Sequence, residues 1–210
     1  MDTLTLEPHA VRVLGALIEK QALTPDSYPL TLNALLAACN QLTSREPVLQ
    51  LSEADLSATL DSLLAAKLVN ERLPAGSRVA KYEHRLNYAW NIDGARLAAL
   101  ALLMLRGAQT AAELRTRAGR LYSFGSVEEV DTALNALADK YPPLVLKLPR
   151  QPGEREARWV HTLHPVAVAA APATANASDD SLAERVSALE QTVASLLQRV
   201  AELEAGAGQA

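Results

Sequence analysis

SEADLSATLDSLLAAKLVNERLPAGSRVAKYEHRL, residues 52–86, reads as one helix followed at once by one β-hairpin. Ser52 and Asp55 have the spacing of a capping box, in which each side chain accepts a hydrogen bond from the other's backbone N–H. Behind them Leu56, Leu60, Leu63 and Leu64 recur at helical spacing. Residues 68–73 form a short strand, Pro74-Ala75-Gly76-Ser77 supplies turn chemistry, and residues 78–86 return as a second strand. A helix running directly into a basic-tipped hairpin is the second half of a winged-helix domain.

The chain then repeats the unit. Ser126-Val127-Glu128-Glu129 is a second expected capping box, with Val130, Leu134 and Leu137 behind it. Residues 144–150 read as a strand, Gln151-Pro152-Gly153 as the turn and 155–163 as the return strand. Ser52, Leu56, Leu60 and Leu63 map onto Ser126, Val130, Leu134 and Leu137 at one constant offset. Gly76, Arg78, Tyr82, His84 and Leu86 map onto Gly153, Arg155, Trp159, His161 and Leu163 at an offset three residues larger, which the Tyr141-Pro142-Pro143 connection is expected to hold. Two copies make a tandem pair, too few for a solenoid.

Upstream, Val11, Leu14, Leu17 and Ile18 lie on one face of an expected amphipathic helix over 7–21, with Pro8 suited to its first turn. Pro25 and Pro29 break the chain before Thr31, which caps a second helix carrying Leu32, Leu35, Leu36 and Cys39. Residues 40–50 are an expected polar loop, and 87–93 the connector between the units. In the second unit, helices are expected over 93–106 and from the Thr110–Glu113 capping box to about Arg120. The expected architecture is mainly α with small β wings, an α+β chain. It comprises two tandem winged-helix domains (1–91 and 92–165), a flexible Ala/Pro-rich linker (166–180) and a short C-terminal coiled-coil helix (181–205).

That last helix follows from heptads. Leu182, Leu189, Leu196 and Leu203 fall seven apart, with Val186, Val193 and Val200 between them. Val at a and Leu at d favours a parallel two-stranded coil, so these seven residues are the expected dimerisation surface. The alternative is a lone amphipathic helix folded onto the body.

Composition narrows the classes. Of 20 basic and 24 acidic residues, the tail from Asp179 onward holds two and six, so eighteen of each sign remain and the body is neutral. A strongly basic nucleic-acid binder is excluded by overall charge; such a role must rest on local patches. Cys39 is the only cysteine, which excludes an internal disulfide and a cysteine-rich zinc site. Asp2 and Glu7 precede any apolar run, unlike a signal peptide, and residues 97–105 are far too few to span a bilayer. A cytoplasmic location without membrane association is the expectation.

Several short motifs in one order carry a resemblance. They are Glu19-Lys20-Gln21, Thr24-Pro25-Asp26, Tyr28-Pro29-Leu30 with Asn33, Cys39-Asn40-Gln41, Arg45-Glu46-Pro47-Val48, Lys81-Tyr82-Glu83-His84-Arg85, and Arg106-Gly107 leading to Glu113-Leu114-Arg115. Over residues 7–163 the chain resembles the bacterial YceH family of uncharacterised tandem winged-helix proteins. The resemblance implies the fold; it carries over no catalytic residue.

Chemistry is sparse. His161 and His164, three apart on an extended segment, face opposite sides and make no metal pair. His84 and His161 occupy equivalent inward positions, and Cys39 on an apolar stripe reads as a buried structural thiol. No phosphate loop, dinucleotide fingerprint or nucleophile elbow is present, so no cofactor, metal or catalytic residue is expected and the protein is read as non-enzymatic.

Two functions remain. In the first, the protein is a DNA-binding, regulator-like dimer docking through its wings. The cations expected to touch nucleic acid are Arg72, Arg78, Lys81 and Arg85 on wing one, Lys147, Arg150, Arg155 and Arg158 on wing two, and Arg115, Arg117 and Arg120 on the intervening helix. Strand alternation turns Tyr82, His84 and Leu86 inward and Lys81 and Arg85 outward. Docking through the third helices is disfavoured, since Glu53, Asp55, Asp61, Glu128, Glu129, Asp131 and Asp139 make both acidic. In the second, the winged helices and a dimerising coiled coil form a protein-interaction scaffold that binds an unknown protein partner and no nucleic acid. The wing cations then pair locally with Glu71, Glu83, Glu154 and Glu156 and keep hairpin edges from associating.

Overall fold

A computed structural model describes residues 5–74 and 76–164. The linker and the heptad segment with Leu182, Val186, Leu189, Val193, Leu196, Val200 and Leu203 lie outside the described residues. Those described form seven α-helices and two small antiparallel sheets, an α+β arrangement.

Helix α1 (Pro8–Leu23) begins with Pro8 in its first turn, where a missing N–H costs nothing. Every residue from Ala10 to Ile18 is buried, so the helix is enclosed rather than amphipathic in place. The reason is α5 (Gly94–Arg106), whose residues Leu97 to Leu105 are likewise all buried and which packs against α1. Gly15 permits the approach: a Cβ there would stand 3.0 Å from Leu105 Cγ. One hydrophobic core consequently runs through both halves of the chain.

Around this pair each half adds two helices and a hairpin. In the first half these are α2 (Leu32–Cys39), capped by Thr31, and α3 (Glu53–Ala65), opened by the complete Ser52–Asp55 capping box. Strands β2 (Val69–Arg72) and β3 (Lys81–His84) follow, shorter than expected. Leu86 does not continue the strand: it starts α4 (Leu86–Ala89), a single turn inside the expected connector. A third strand, β1 (Leu30–Thr31), pairs with β3 through Leu30↔Tyr82 and Thr31↔Lys81. It covers the outer edge of β3, which leaves Lys81 half-buried rather than fully outward, and Tyr82 only half-buried.

The second half repeats this plan with α6 (Ala111–Ala118), α7 (Val127–Ala138), β4 (Val145–Lys147) and β5 (Trp159–His161). The registers coincide: Val69↔His84 matches Val145↔His161, and Glu71↔Tyr82 matches Lys147↔Trp159. Where Leu30 pairs with Tyr82, Gln109 bridges Trp159. Leu68 and Leu144 each donate their N–H back to the end of the preceding helix, at Leu63 and Leu137. These equivalences correct the expected insertion. Two of the three extra residues lie in the Tyr141–Pro143 connection, and the third lies in the second hairpin.

Two further corrections concern helix ends. Helix α6 stops at Ala118, because Gly119 takes φ +51°, and does not reach Arg120. At α7 only half of the expected capping box forms. Ser126 accepts from Glu129 N–H, but the Glu129 carboxylate reaches past Ser126 to Gly125 N–H at 2.7 Å and the Tyr122 hydroxyl at 3.0 Å.

The expected polar loop over 40–50 is anchored inward by Arg45. Its guanidinium donates to both Glu19 carboxylate oxygens (3.1 and 2.6 Å), to Ala38 O and to Gln41 Oε1. Arg12, also buried, donates to Cys39 O and Pro47 O, and Glu46 N–H reaches Leu105 O in the other half. Three of the motifs behind the family resemblance, those containing Glu19, Cys39 and Arg45, meet at this knot.

Candidate nucleic-acid interface

The hairpin cations divide into two kinds. On the first hairpin, cross-strand geometry sets Arg72 beside Glu83, and Arg72 Nε donates to Glu83 Oε1 at 2.7 Å while Asn70 Nδ2 donates at 3.0 Å. Burial pushes the Glu83 carboxyl up, but these donors prevail and hold it below the usual carboxylate range. Arg72 is thereby occupied. Arg78, in the turn, and Arg85, after β3, are exposed, and the Arg85 guanidinium lies 5.5 Å from the Tyr88 ring centroid. Neither has a carboxylate within ion-pair distance among the described residues, nor has Lys81.

On the second hairpin Arg158 plays the part of Arg72. It bridges Glu154 at 3.1 Å and Glu113 at 2.8 Å, tying the hairpin to α6. Burial lowers its pKa, and the two carboxylates outweigh that and raise it. Arg117 also reaches Glu113 and donates to Gln109 Oε1 at 2.8 Å, while Arg115 donates to Gly125 O. The α6 arginines Arg115 and Arg117 therefore hold loops together, although both remain exposed. Lys147 sits over the Trp159 ring at 5.2 Å. Arg150 and Arg155, in the connection between β4 and β5, and Arg120, past α6, are exposed without an ion pair among the described residues.

Of the eleven cations expected to face nucleic acid, Arg72, Arg117 and Arg158 thus spend their charge locally. Those at the hairpin tips, Arg78, Arg150 and Arg155, do not. Helices α3 and α7 present Glu53, Asp55, Asp61, Glu128 and Asp139 to solvent, while Glu129 and Asp131 are partly buried. Hydrogen bonds from Ser52 lower the Asp55 pKa, and Ser126 does the same for Glu128, so both carry full negative charge at neutral pH.

The equivalent histidines are both buried. Burial pulls His84 to about 4, against a weaker pull from Glu83, and pulls His161 to about 4, helped by His164. His84 Nδ1 accepts from Leu86 N–H, so its Nε2 carries the proton it donates to Gln21 Oε1 at 2.7 Å. Burial also pushes the Cys39 thiol up to about 12, which makes it a poor nucleophile. Among the described residues no group of three His, Cys, Asp or Glu could hold a metal ion. No described helix is long and apolar enough to cross a membrane.

Sequence reasoning missed a cleft of about 410 Å³ beside the first hairpin, lined by Gln21, Asn70, Glu83, His84, Arg85 and Tyr88 among others. Its residues come from α1, the sheet and α4, so no local spacing announces it.

Residues 6–154 match the model of a protein family described as "Protein of unknown function, DUF480". A "UPF0502 protein" of Chromobacterium violaceum is 69% identical over 204 residues, covering 97% of this chain and 93% of the relative. Another, of Janthinobacterium sp. (strain Marseille), is 50% identical over 198 residues, covering 93% and 85%. The UPF0502 protein HEAR1280 of Herminiimonas arsenicoxydans is 49% identical over 201 residues, with 93% and 85% covered.

Proposed function

The chain belongs to the DUF480 family of proteins of unknown function, which is also the YceH family, and we propose that it is a non-enzymatic, tandem winged-helix DNA-binding protein that docks through its hairpin tips. In this reading α1–α3 with β2–β3, and α5–α7 with β4–β5, are the two winged helices, and the hairpins are their wings. One observation carries the reading: Arg78 on one tip and Arg150 and Arg155 on the other are exposed without carboxylate partners among the described residues, whereas Arg72 and Arg158, where the strands meet the turns, are neutralised. Cations left unpaired at a tip are available to phosphates, and their contacts release counterions. The acidic faces of α3 and α7 disfavour approach by those helices at the same time. A coiled coil over 181–205 would double the wings presented to one duplex.

The test is binding of labelled mixed-sequence duplex to the full chain over a salt series, with R78E/R150E/R155E as the comparison. Arg158 is left intact there, because its loss would loosen the second hairpin. A second reading, a protein-interaction scaffold without nucleic acid, is supported by the exposed apolar side chains Leu73, Val79 and Leu146 on the same hairpins. It requires that salt-sensitive duplex binding be absent and that a protein partner occupy the tips instead.

A further inference from the structure

The 410 Å³ cleft beside the first hairpin has a neighbour of about 220 Å³ between α1 and the start of α5, and the two share Gln21 and Asn87 in their walls. The smaller is apolar, lined by Ile18, Ala22, Leu97, Ala98, Leu121 and Tyr122. Its floor is open because Gly94, at φ +47°, carries no side chain where a Cβ would approach the Tyr122 ring at 3.7 Å. The larger is polar and carries a surplus positive charge. Glu83 is balanced by Arg72 at 2.7 Å, His84 is neutral at pH 7, and Arg85 has no carboxylate partner among the described residues. Gln21 stands at the junction with its orientation fixed. Its Oε1 accepts from His84, which leaves its amide N–H groups without a protein acceptor among the described residues.

We propose that the two clefts form one binding site for an amphipathic anion, a small molecule with a compact apolar body and a carboxylate or sulfonate head. The body enters between α1 and α5, where apolar walls remove it from water. The head lies against Arg85 and the free amide of Gln21 at the polar end. The space suits a small molecule, since ligand pockets span roughly 300–1,000 Å³. Such a ligand touches α1, α4 and α5 together and so binds both halves of the chain. This does not depend on DNA binding.

Two fluorescent probes with the same aromatic body separate the contributions: 1-anilinonaphthalene-8-sulfonate, and N-phenyl-1-naphthylamine, which lacks the sulfonate. The full chain should bind the sulfonate saturably at one site, and Arg85→Gln should weaken that binding about tenfold while leaving the uncharged probe unaffected, as expected for loss of about 1.4 kcal/mol of charge interaction. Ala22→Trp, at an exposed position on α1, should fill the apolar cleft and weaken both probes. Absence of saturable binding, or binding indifferent to both substitutions, overturns the proposal. Circular dichroism of both variants separates loss of the site from loss of the fold.

Discussion

Arg45 shows what a single residue does here. Its side chain is fully buried, and Glu19 is the one carboxylate that pairs with it among the described residues. Removing one partner of a buried pair leaves the other charge desolvated and uncompensated, at a cost of about 3–5 kcal/mol. Glu19→Ala should therefore destabilise the protein by about 3 kcal/mol, read from the urea midpoint at unchanged slope. A shift below about 1 kcal/mol would mean that the remaining acceptors, the carbonyls of Ala38 and Ser44 and Gln41 Oε1, suffice without it. His84 and His161 give a second prediction at this scale. Their folded pKa values, near 4, lie below the ordinary value of 6.5, so below pH 6.5 the unfolded chain binds more protons than the folded one. Stability from these groups is present in full above pH 6.5, falls as pH drops from 6.5 toward 4, and is lost by about pH 4. The loss is on the order of 2–3 kcal/mol for each group. Unfolding free energy measured between pH 7 and pH 4 should fall in wild type, and the fall should shrink in His161→Phe. An equal fall in that variant would assign the pH dependence to other groups. Neither Arg45 nor its partners could be found from spacing: Glu19 and Arg45 are 26 residues apart, and a loop rich in polar residues gives no sign that one of them turns inward.

At the scale of elements, what is written locally was legible and what is written between elements was not. The capping residues Thr31, Ser52, Thr110 and Ser126 and the leucines behind them place the helices, because each signal lies within one or two turns. The doubled helix-and-hairpin plan was legible from constant offsets for the same reason. The exact split of the insertion was not, since Pro142 and Pro143 make the connection look long enough to hold all three residues. Strand β1 escaped notice because two residues carry no alternation to read. The burial of α1 on every side was also hidden: its apolar face predicts one neighbour, and only the meeting with α5 explains the burial of Gly15 and Ala16 outside that face. Gly15 is the sharpest probe of that contact. Gly15→Leu places new atoms against Leu105 and Met104 and should destabilise the protein by about 2–3 kcal/mol through overpacking. Thermal unfolding of the variant at or above the wild-type midpoint would show that the two helices part without cost. In the site itself, the hairpin cations were all legible as residues. Which of them are neutralised was not, because Arg72–Glu83 depends on strand register and Arg158–Glu113 on the packing of α6 against the second hairpin.

For the whole molecule, the two halves share a core while their hairpins repeat the same register, so the chain presents two copies of one surface device on one body. Two weak electrostatic contacts on one scaffold act together, because the second pays little further loss of freedom once the first is made. In the proposed reading, a neutral body with acidic α3 and α7 leaves the hairpin tips as the surfaces offered to a duplex. The most direct test is fluorescence anisotropy of a labelled mixed-sequence duplex titrated with the full chain at several salt concentrations. The account predicts binding that weakens linearly in log affinity against log salt, and an R78E/R150E/R155E variant weaker by at least about tenfold at low salt with a shallower slope. Absence of binding at low salt, or equal binding by the variant, would contradict docking through the hairpin tips and leave the protein-scaffold reading in its place.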